Sequence, residues 1–387
     1  MVIDSCCSGA DRIRILHVYR TYFPDPPGGL QEAIRQIALA VSRMGAASKV
    51  FALSPCPVPR SLNRPEGIVV RSRSWVAPAS CDIGGLDAFR TYVEQAVWAD
   101  VLHFHFPWPF ADVMRLVDRT SKPAVMTYHS DVVQKGILDL IYRPVMRRML
   151  RNMDTVVATS PAYAGTSPVL IESSIRRKLK IIPLGICEES YRDYVAQSQR
   201  VDLKRRFELT PGMYMLFVGV LRPYKGLDSL IEAAEGTGIP LVIAGAGREA
   251  RRLRVMAEGA GNIRFVGPVT DAEKIALIRG CRALVLPSHL RSEAFGMVLV
   301  EASMCGRPMI SCEIGTGTSF VNKHGETGLV VPPGSPERLR EAMFSLLADA
   351  DRAEEMGQAA RRRYEQLFSG EALGRAYMDL YRGVLNG

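Results

Sequence analysis

The sequence predicts an α/β protein of two doubly wound, Rossmann-like domains followed by C-terminal helices. Three observations carry that expectation. Short β-branched and apolar runs alternate with stretches of helical periodicity, the alternation stops after "IIPLGI" and restarts at "YMLFVGV", and 387 residues are enough for two separate cores.

The first run, "IRILHVYRTYF", reads as a buried strand, and "GGLQEAIRQIALAVSRMG" follows as a helix with a glycine stop. Further strands are expected at "ASKVFALS", "DVLHFHF", "PAVMTYH", "DTVVATS" and "KLKIIPL", the pattern of a parallel sheet covered on both faces. These make a first domain over 13–190. A second, over 195–368, takes its strands from "YMLFVGV", "IPLVIAGAG", "NIRFVG", "CRALVLPS" and "GRPMISC", and the stretch from about 336 to 385 reads as consecutive helices. Open α/β sheets bind ligands beyond the carboxyl ends of their strands, so two such domains are expected to face a central cleft.

Composition excludes several classes. With 47% hydrophobic and 23% charged residues the chain is neither disordered nor fibrous. The eight cysteines form no CxxC pair and no metal-like spacing with histidine, as expected of reduced thiols in the cytoplasm. The start "MVIDSCCSGADR" lacks the features of a signal peptide, and no window reaches the ~18 apolar residues of a membrane span. The net charge of +9 comes without a helix-turn-helix or finger pattern, so nucleic acid is not the expected partner.

Charge is concentrated in 135–180, which holds nine basic against three acidic residues. Within it, "GILDLIYRPVMRRMLRNMD" places Leu138, Ile141, Val145, Met146 and Met149 on one helical face and Arg143, Arg147 and Arg151 on the other, with Pro144 expected to start or kink the helix. Such a helix either packs its apolar face on the sheet or lies on an anionic membrane surface.

Chemistry is suggested by "SEAFGMVLVE", where seven uncharged residues separate Glu293 from Glu301. A helix running from Gly296 to Gly306 would put Glu293 before its mouth and Glu301 about a turn inside. The free N–H groups of Phe295, Gly296 and Met297 would lie between the acids, where a phosphate is favoured. "FVGVLRPYKG" adds two cations, Arg222 and Lys225, in a loop after a strand, suited to a departing diphosphate. Two other patterns compete. Gly245, Gly247 and Ala250 match a dinucleotide fingerprint, but the strand "NIRFVG" ends without the acid that would hold a ribose. His103 and His105 share one face of a strand, with no third ligand near them in sequence, so packing rather than metal binding is expected.

Taken together, Arg222–x–x–Lys225–Gly226 and Glu293–x7–Glu301 resemble the retaining glycosyltransferases of family 4, whose fold is GT-B. "IIPLG" at 181–185, the Gly28–Gly29 loop, "TYHSD" at 127–131 and "VGPVTDAEK" at 266–274 are similar to family elements in the family's order. The resemblance implies that Glu293 meets the donor sugar, Glu301 the ribose, and Arg222 and Lys225 the diphosphate. It places Gly28 and Gly29 near the phosphates and acceptor, and His129 close to the transferred sugar. Gly219, Gly245 and Val266 would line the nucleotide side, with Phe295, Gly296 and Met297 at the phosphates. "TYHSD" departs from the doubled histidine common in the family, which leaves the role of the His129 ring open. The segment 369–387 is expected to return to the first domain.

A closer likeness lies in "LHVYRTYFPDPPGGLQEAI" and "SCEIGTGTSFVN", which resemble bacterial mannosyl- and rhamnosyltransferases of lipopolysaccharide O-antigen synthesis. It implies GDP-mannose or GDP-rhamnose as donor, a lipid-linked saccharide as acceptor, no metal or other cofactor, and a peripheral position at the cytoplasmic face of the inner membrane. The competing expectations are a nucleotide-sugar epimerase of the same fold and a non-catalytic binder. Glu293→Ala and Lys225→Ala are each expected to remove transfer and leave the fold intact.

Overall fold

The computed structural model describes residues 12–25, 28–78, 81–131 and 137–387, with the side chains of 137–141 outside the description. The chain divides into two compact units. The first holds the described residues up to Val157, Glu172–Ile182 and Leu373–Gly387, and the second holds Ala158–Ile171 and Pro183–Ala372. The division between Ile182 and Pro183 lies upstream of the 190–195 gap read from composition. Ala158–Ile171 joins the second unit because Thr166 is tied there: its hydroxyl donates to the Gly315 carbonyl at 2.6 Å and accepts from Arg291 at 2.8 Å.

Nine strands form the first sheet: β1 Arg14–Thr21, β2 Ala47–Ser54, β3 Ser61–Arg64, β4 Gly67–Val76, β5 Ile83–Gly84, β6 Val101–Phe106, β7 Ala124–Tyr128, β8 Thr155–Ala158 and β9 Leu179–Ile181. They run in the order β3-β4-β2-β1-β6-β7-β8-β9, with β5 paired to β4. Helices α1 Gly29–Arg43, α2 Leu86–Trp98, α3 Pro109–Val117 and α4 Ile137–Arg151 belong to the same unit. All six residues of β6 are buried, including the two histidines that alternate with its apolar residues. The chain starts at β1 in the middle, moves outward through β2 and β4, and returns to β6 on the other side of β1, so the strand order reverses between β1 and β6.

The sequence reading omits β4, which pairs in parallel with β2. Its run "GIVVRSRSWV" hides the strand by burying Arg71 within it; that guanidinium donates to the carbonyls of Cys56 at 3.4 Å and Pro59 at 2.7 Å. Pro144 neither starts nor terminates α4 but lies inside it. Its ring faces solvent, where the carbonyl that its missing N–H leaves unserved can be hydrated. Met146, Met149 and Leu150 are buried, Val145 is half-buried, and Arg143, Arg147, Arg148 and Arg151 are exposed. The side chains of Leu138 and Ile141 lie outside the described residues.

The second sheet has six strands, β10 Met215–Val218, β11 Leu241–Ala244, β12 Ile263–Gly267, β13 Ala283–Leu286, β14 Met309–Cys312 and β15 Gly328–Val331. The order is β12-β11-β10-β13-β14-β15 and every pair is parallel. β15 is the strand that the sequence reading leaves out of this sheet. The order is that of a doubly wound nucleotide-binding fold, with its reversal between β10 and β13. Helices Pro336–Ala348 and Ala350–Arg363 follow, capped by Ser335 and Asp349, and the closing helix Gly370–Asn386 runs from the second unit into the first. The six described cysteines are free thiols. No described helix is long and apolar enough to cross a membrane.

Candidate active site

At the reversal of the second sheet, the loops after β10 and β13 carry the expected residues. Past β10 the chain turns at Gly219, continues to Arg222 and makes a single 3-10 turn, Pro223–Lys225, closed by Gly226. Arg222 is exposed, and its charge bears on Lys225. The Lys225 ammonium, 9% exposed, donates to Glu293, also 9% exposed, and the Ser288 hydroxyl donates to the same carboxylate at 3.1 Å. Burial pulls the Lys225 pKa down, but the adjacent Glu293 carboxylate more than offsets it and leaves the ammonium above its usual range. The two residues expected to meet the diphosphate and the sugar separately thus neutralise each other.

Glu301 is served by a second pair. The helix Met297–Met304 has Gly296 as its N-cap at φ +82°, a left-handed conformation that an L side chain rarely adopts. No side chain caps this helix, and the N–H groups of Phe295, Gly296 and Met297 donate no hydrogen bond among the described residues. On its second turn Glu301 accepts from Lys274 at 2.7 Å and from the Tyr191 hydroxyl at 2.9 Å. Lys274 stands in the first turn of the helix Asp271–Gly280, whose start is set by a reciprocal cap between Thr270 and Glu273. Burial opposes the Lys274 charge, and Glu301 with Asp271 at 3.1 Å outweighs it, so its pKa also rises. The turn at 293–296 is held from β14's side by Thr316, whose hydroxyl donates to the Glu293 carbonyl at 2.8 Å, and by Gly317, whose N–H donates to Ala294 at 2.8 Å.

The remaining expected residues are placed as follows. Gly245 has φ +139°, and a Cβ there would lie 1.9 Å from the Gly219 carbonyl, so the ends of β10 and β11 can close only through glycine. Val266 stands at the end of β12, where the Gly267 carbonyl accepts from Gly245 at 2.8 Å. The Phe295 ring is buried and packs edge-on against Phe368. Gly28, Gly29 and His129 belong to the first unit. Gly28 precedes α1 with extended backbone and Gly29 opens it; a Cβ on Gly29 would meet nothing within 4 Å, so local packing does not require glycine there.

His129 follows β7 and is 5% exposed. Its Nε2 lies 3.0 Å from Nδ1 of His105, whose Nε2 lies 3.1 Å from Nδ1 of His17. The sequence shows no third ligand near His103 and His105; the sheet supplies one, because β1 pairs with β6 and sets His17 opposite His103. The contacts nevertheless describe a structural network. His103 bonds to the Tyr381 hydroxyl at 2.7 Å and to Thr127 at 2.7 Å, and both nitrogens of His105 face imidazoles.

Comparison with known proteins identifies the family. Residues 202–363 match the model of glycosyl transferases group 1, and residues 28–183 that of the glycosyl transferase 4-like domain. The chain is 43% identical to D-rhamnosyltransferase WbpZ of Pseudomonas aeruginosa over 92% of each chain. It is a group 1 glycosyltransferase. This glycosyltransferase is also 38% identical to O-antigen chain mannosyltransferase C of Escherichia coli, over 96% of its own length and 99% of the relative's. Its fold is GT-B. Sucrose-phosphate synthase from Thermosynechococcus elongatus superposes with a TM-score of 0.78 at 23% identity, covering 97% of this chain and all of that one. Anabaena HepE, in complex with UDP and glucose, gives 0.75 at 18% identity over 96% of this chain.

Sequence reasoning missed Lys274, Tyr191 and Ser288, which bond to the two carboxylates of the candidate site. Lys274 closes the motif "VGPVTDAEK", from which only Val266 was taken; the signal was a lysine in the first turn of a helix, where the macrodipole disfavours a cation unless a carboxylate holds it. Tyr191 carries no local signal, since it is 110 residues from its partner.

Proposed function

We propose that this glycosyltransferase moves a hexose, mannose or rhamnose, from a GDP-sugar to a lipid-linked saccharide during O-antigen assembly, with retention of configuration. The reading rests on one arrangement: two carboxylates, each held by a lysine, on either side of a helix N-terminus whose amides are unpaired at the reversal point of a doubly wound sheet. Donor entry would exchange the Lys225–Glu293 pair for two pairs with substrate, ammonium to diphosphate and carboxylate to sugar hydroxyls. Arg222, exposed beside Lys225, adds a second cation for the leaving diphosphate, the part that a metal plays in other transferases. The acceptor hydroxyl then attacks from the face that the diphosphate leaves, which deprotonates it. Donor and pathway follow the relatives named above, together with a 30% identical mycobacterial GDP-mannose-dependent mannosyltransferase covering 62% of this chain.

Membrane contact is assigned to the first unit. Trp75, Leu86, Val113 and Val117 are 68%, 76%, 49% and 56% exposed, and the last three line an open apolar groove with Phe89 and Phe110. The groove runs along α3, which packs on α4 with its exposed arginines, so apolar and cationic surface lie together as an anionic bilayer requires.

The test is transfer of radiolabel from GDP-mannose, GDP-rhamnose and UDP-glucose to a lipid-linked acceptor, with and without EDTA, and anomeric analysis of the product. Labelled lipid from a GDP-sugar, with EDTA harmless and the anomer retained, supports the proposal. Conversion of free nucleotide sugar without labelled lipid would favour the epimerase, and binding alone the non-catalytic reading. Vesicles with anionic lipid should sediment the protein, and Leu86→Asp should release it.

A further inference from the structure

The buried histidines of the first unit set the chemistry of the one that opens outward. His17, His105 and His129 form a single file, with contacts of 3.1 and 3.0 Å and exposures of 0%, 2% and 5%. At the inner end, Nε2 of His17 is buried and has no hydrogen-bond partner. At the outer end, Nδ1 of His129 has no protein partner among the described residues, yet it is not among the buried unpartnered atoms and so opens to solvent. His103 stays out of the file, because Tyr381 and Thr127 take both its nitrogens.

We propose that His17 and His105 are positioning residues that hold His129 as a neutral hydrogen-bond donor through Nδ1; the consequence for transfer rests on the reading that His129 lies beside the sugar. A neutral imidazole has one N–H and one acceptor nitrogen, so two contacts in series permit two proton patterns. In the first, every ring carries its proton on Nδ1. His17 then donates to His105, His105 donates to His129, and the His129 N–H points outward, leaving only a lone pair buried at His17 Nε2. In the second, every proton sits on Nε2, the donations reverse, and a buried N–H at His17 has no acceptor. A buried unpaired N–H is the rarer defect, which selects the first pattern.

The file is also closed at its inner end. With every Nδ1 already protonated and the Nε2 atoms of His105 and His129 engaged as acceptors, an added proton has only buried nitrogens to occupy, and it would stay as a buried charge with no carboxylate in the file. Burial accordingly holds His17 and His129 down, each to about 3. Such a ring offers the sugar or acceptor a fixed N–H and does not serve as a base near neutrality.

The chain has six histidines, few enough for side-chain assignment in a 15N-histidine-labelled sample of the full chain. Long-range 1H–15N correlation should show His17, His105 and His129 protonated on Nδ1 and unchanged between pH 5.5 and 8. Protonation on Nε2, or tautomer averaging at His105 or His129, would overturn the proposal without need of any variant. In His105→Leu the tautomers of His129 should average and kcat should fall on the order of tenfold, with donor affinity unchanged. His105→Gln, whose amide can still donate to His129 Nε2, should recover both spectrum and rate; equal slowness in the two variants, with the native spectrum kept in His105→Gln, would sink the positioning role. A wild-type protein that transfers no sugar would remove the function proposed above while leaving the proton pattern to be judged on its spectrum.

Discussion

The paired ions of the second unit and the histidine file of the first, which runs from within β1 through β6 to the residue after β7, solve the burial of polar groups in opposite ways. At Lys225–Glu293 and Lys274–Glu301 charge is kept and cancelled in place. In the file charge is refused, and neutral rings satisfy one another. A cancelled charge can be released to a ligand that brings its own; a neutral network can only present or withhold a hydrogen bond. The second unit is thereby suited to a dianionic leaving group, and the first to a hydroxyl-rich, uncharged partner.

The largest expected effect breaks the ionic side. Glu293→Ala and Lys225→Ala should each lower transfer about a thousandfold. Each should keep the fold but also cost about 3 kcal/mol in denaturant titration, because the partner is left charged and buried. The double variant Lys225→Met/Glu293→Leu should regain the stability and none of the activity; a double variant as unstable as the singles would show that the pair is not what holds the loops.

Acid sharpens the contrast next. The folded-state pKa values of His17 and His129 lie near 3, below the usual 6.5, so the unfolded chain binds more protons between those limits. Stability from these rings is complete above pH 6.5 and is lost as pH falls towards 3, at up to about 1.4 kcal/mol per ring per pH unit. Asp112 works the other way: burial raises it to about 8, so its contribution is present below 3.8 and lost as pH rises through 8. Hydrogen exchange at pH 4.5 should open β1 and β6 before β10 and β13; the reverse order would refute the assignment.

Smaller effects follow. Lys274→Met should raise the donor Kd about tenfold, ~1.4 kcal/mol, by leaving Glu301 to Tyr191 alone, with kcat little changed. Tyr381→Phe removes one hydroxyl from His103 and should cost about 1 kcal/mol of stability without altering donor binding.

Much of this architecture was legible because parallel strands buried on both faces write themselves as apolar runs. β4 was lost to Arg71 within its buried stretch, and β15 to the polar, glycine- and proline-rich segment that flanks its four residues on both sides. At the candidate site, Glu293, Glu301, Arg222 and Lys225 could be read from spacing, since Glu293, Arg222 and Lys225 lie in loops just past strands and Glu301 lies about a turn inside the helix that follows. Their pairing could not: Lys225 is 68 residues from Glu293 and Lys274 is 27 from Glu301, so sheet order rather than local pattern brings them together. His17 joined the histidines for the same reason, through the parallel register of β1 with β6.

The closing helix carries a consequence for how the molecule is made. Tyr377 and Tyr381 place their hydroxyls in the interior of the first unit, against Thr127 and His103, partners that lie 250 and 278 residues earlier in the chain. A ribosome delivers those hydroxyls only after the whole second unit has emerged. Until then, Thr127 and His103 lack the tyrosine partners that close their network, so the domain translated first is the one completed last.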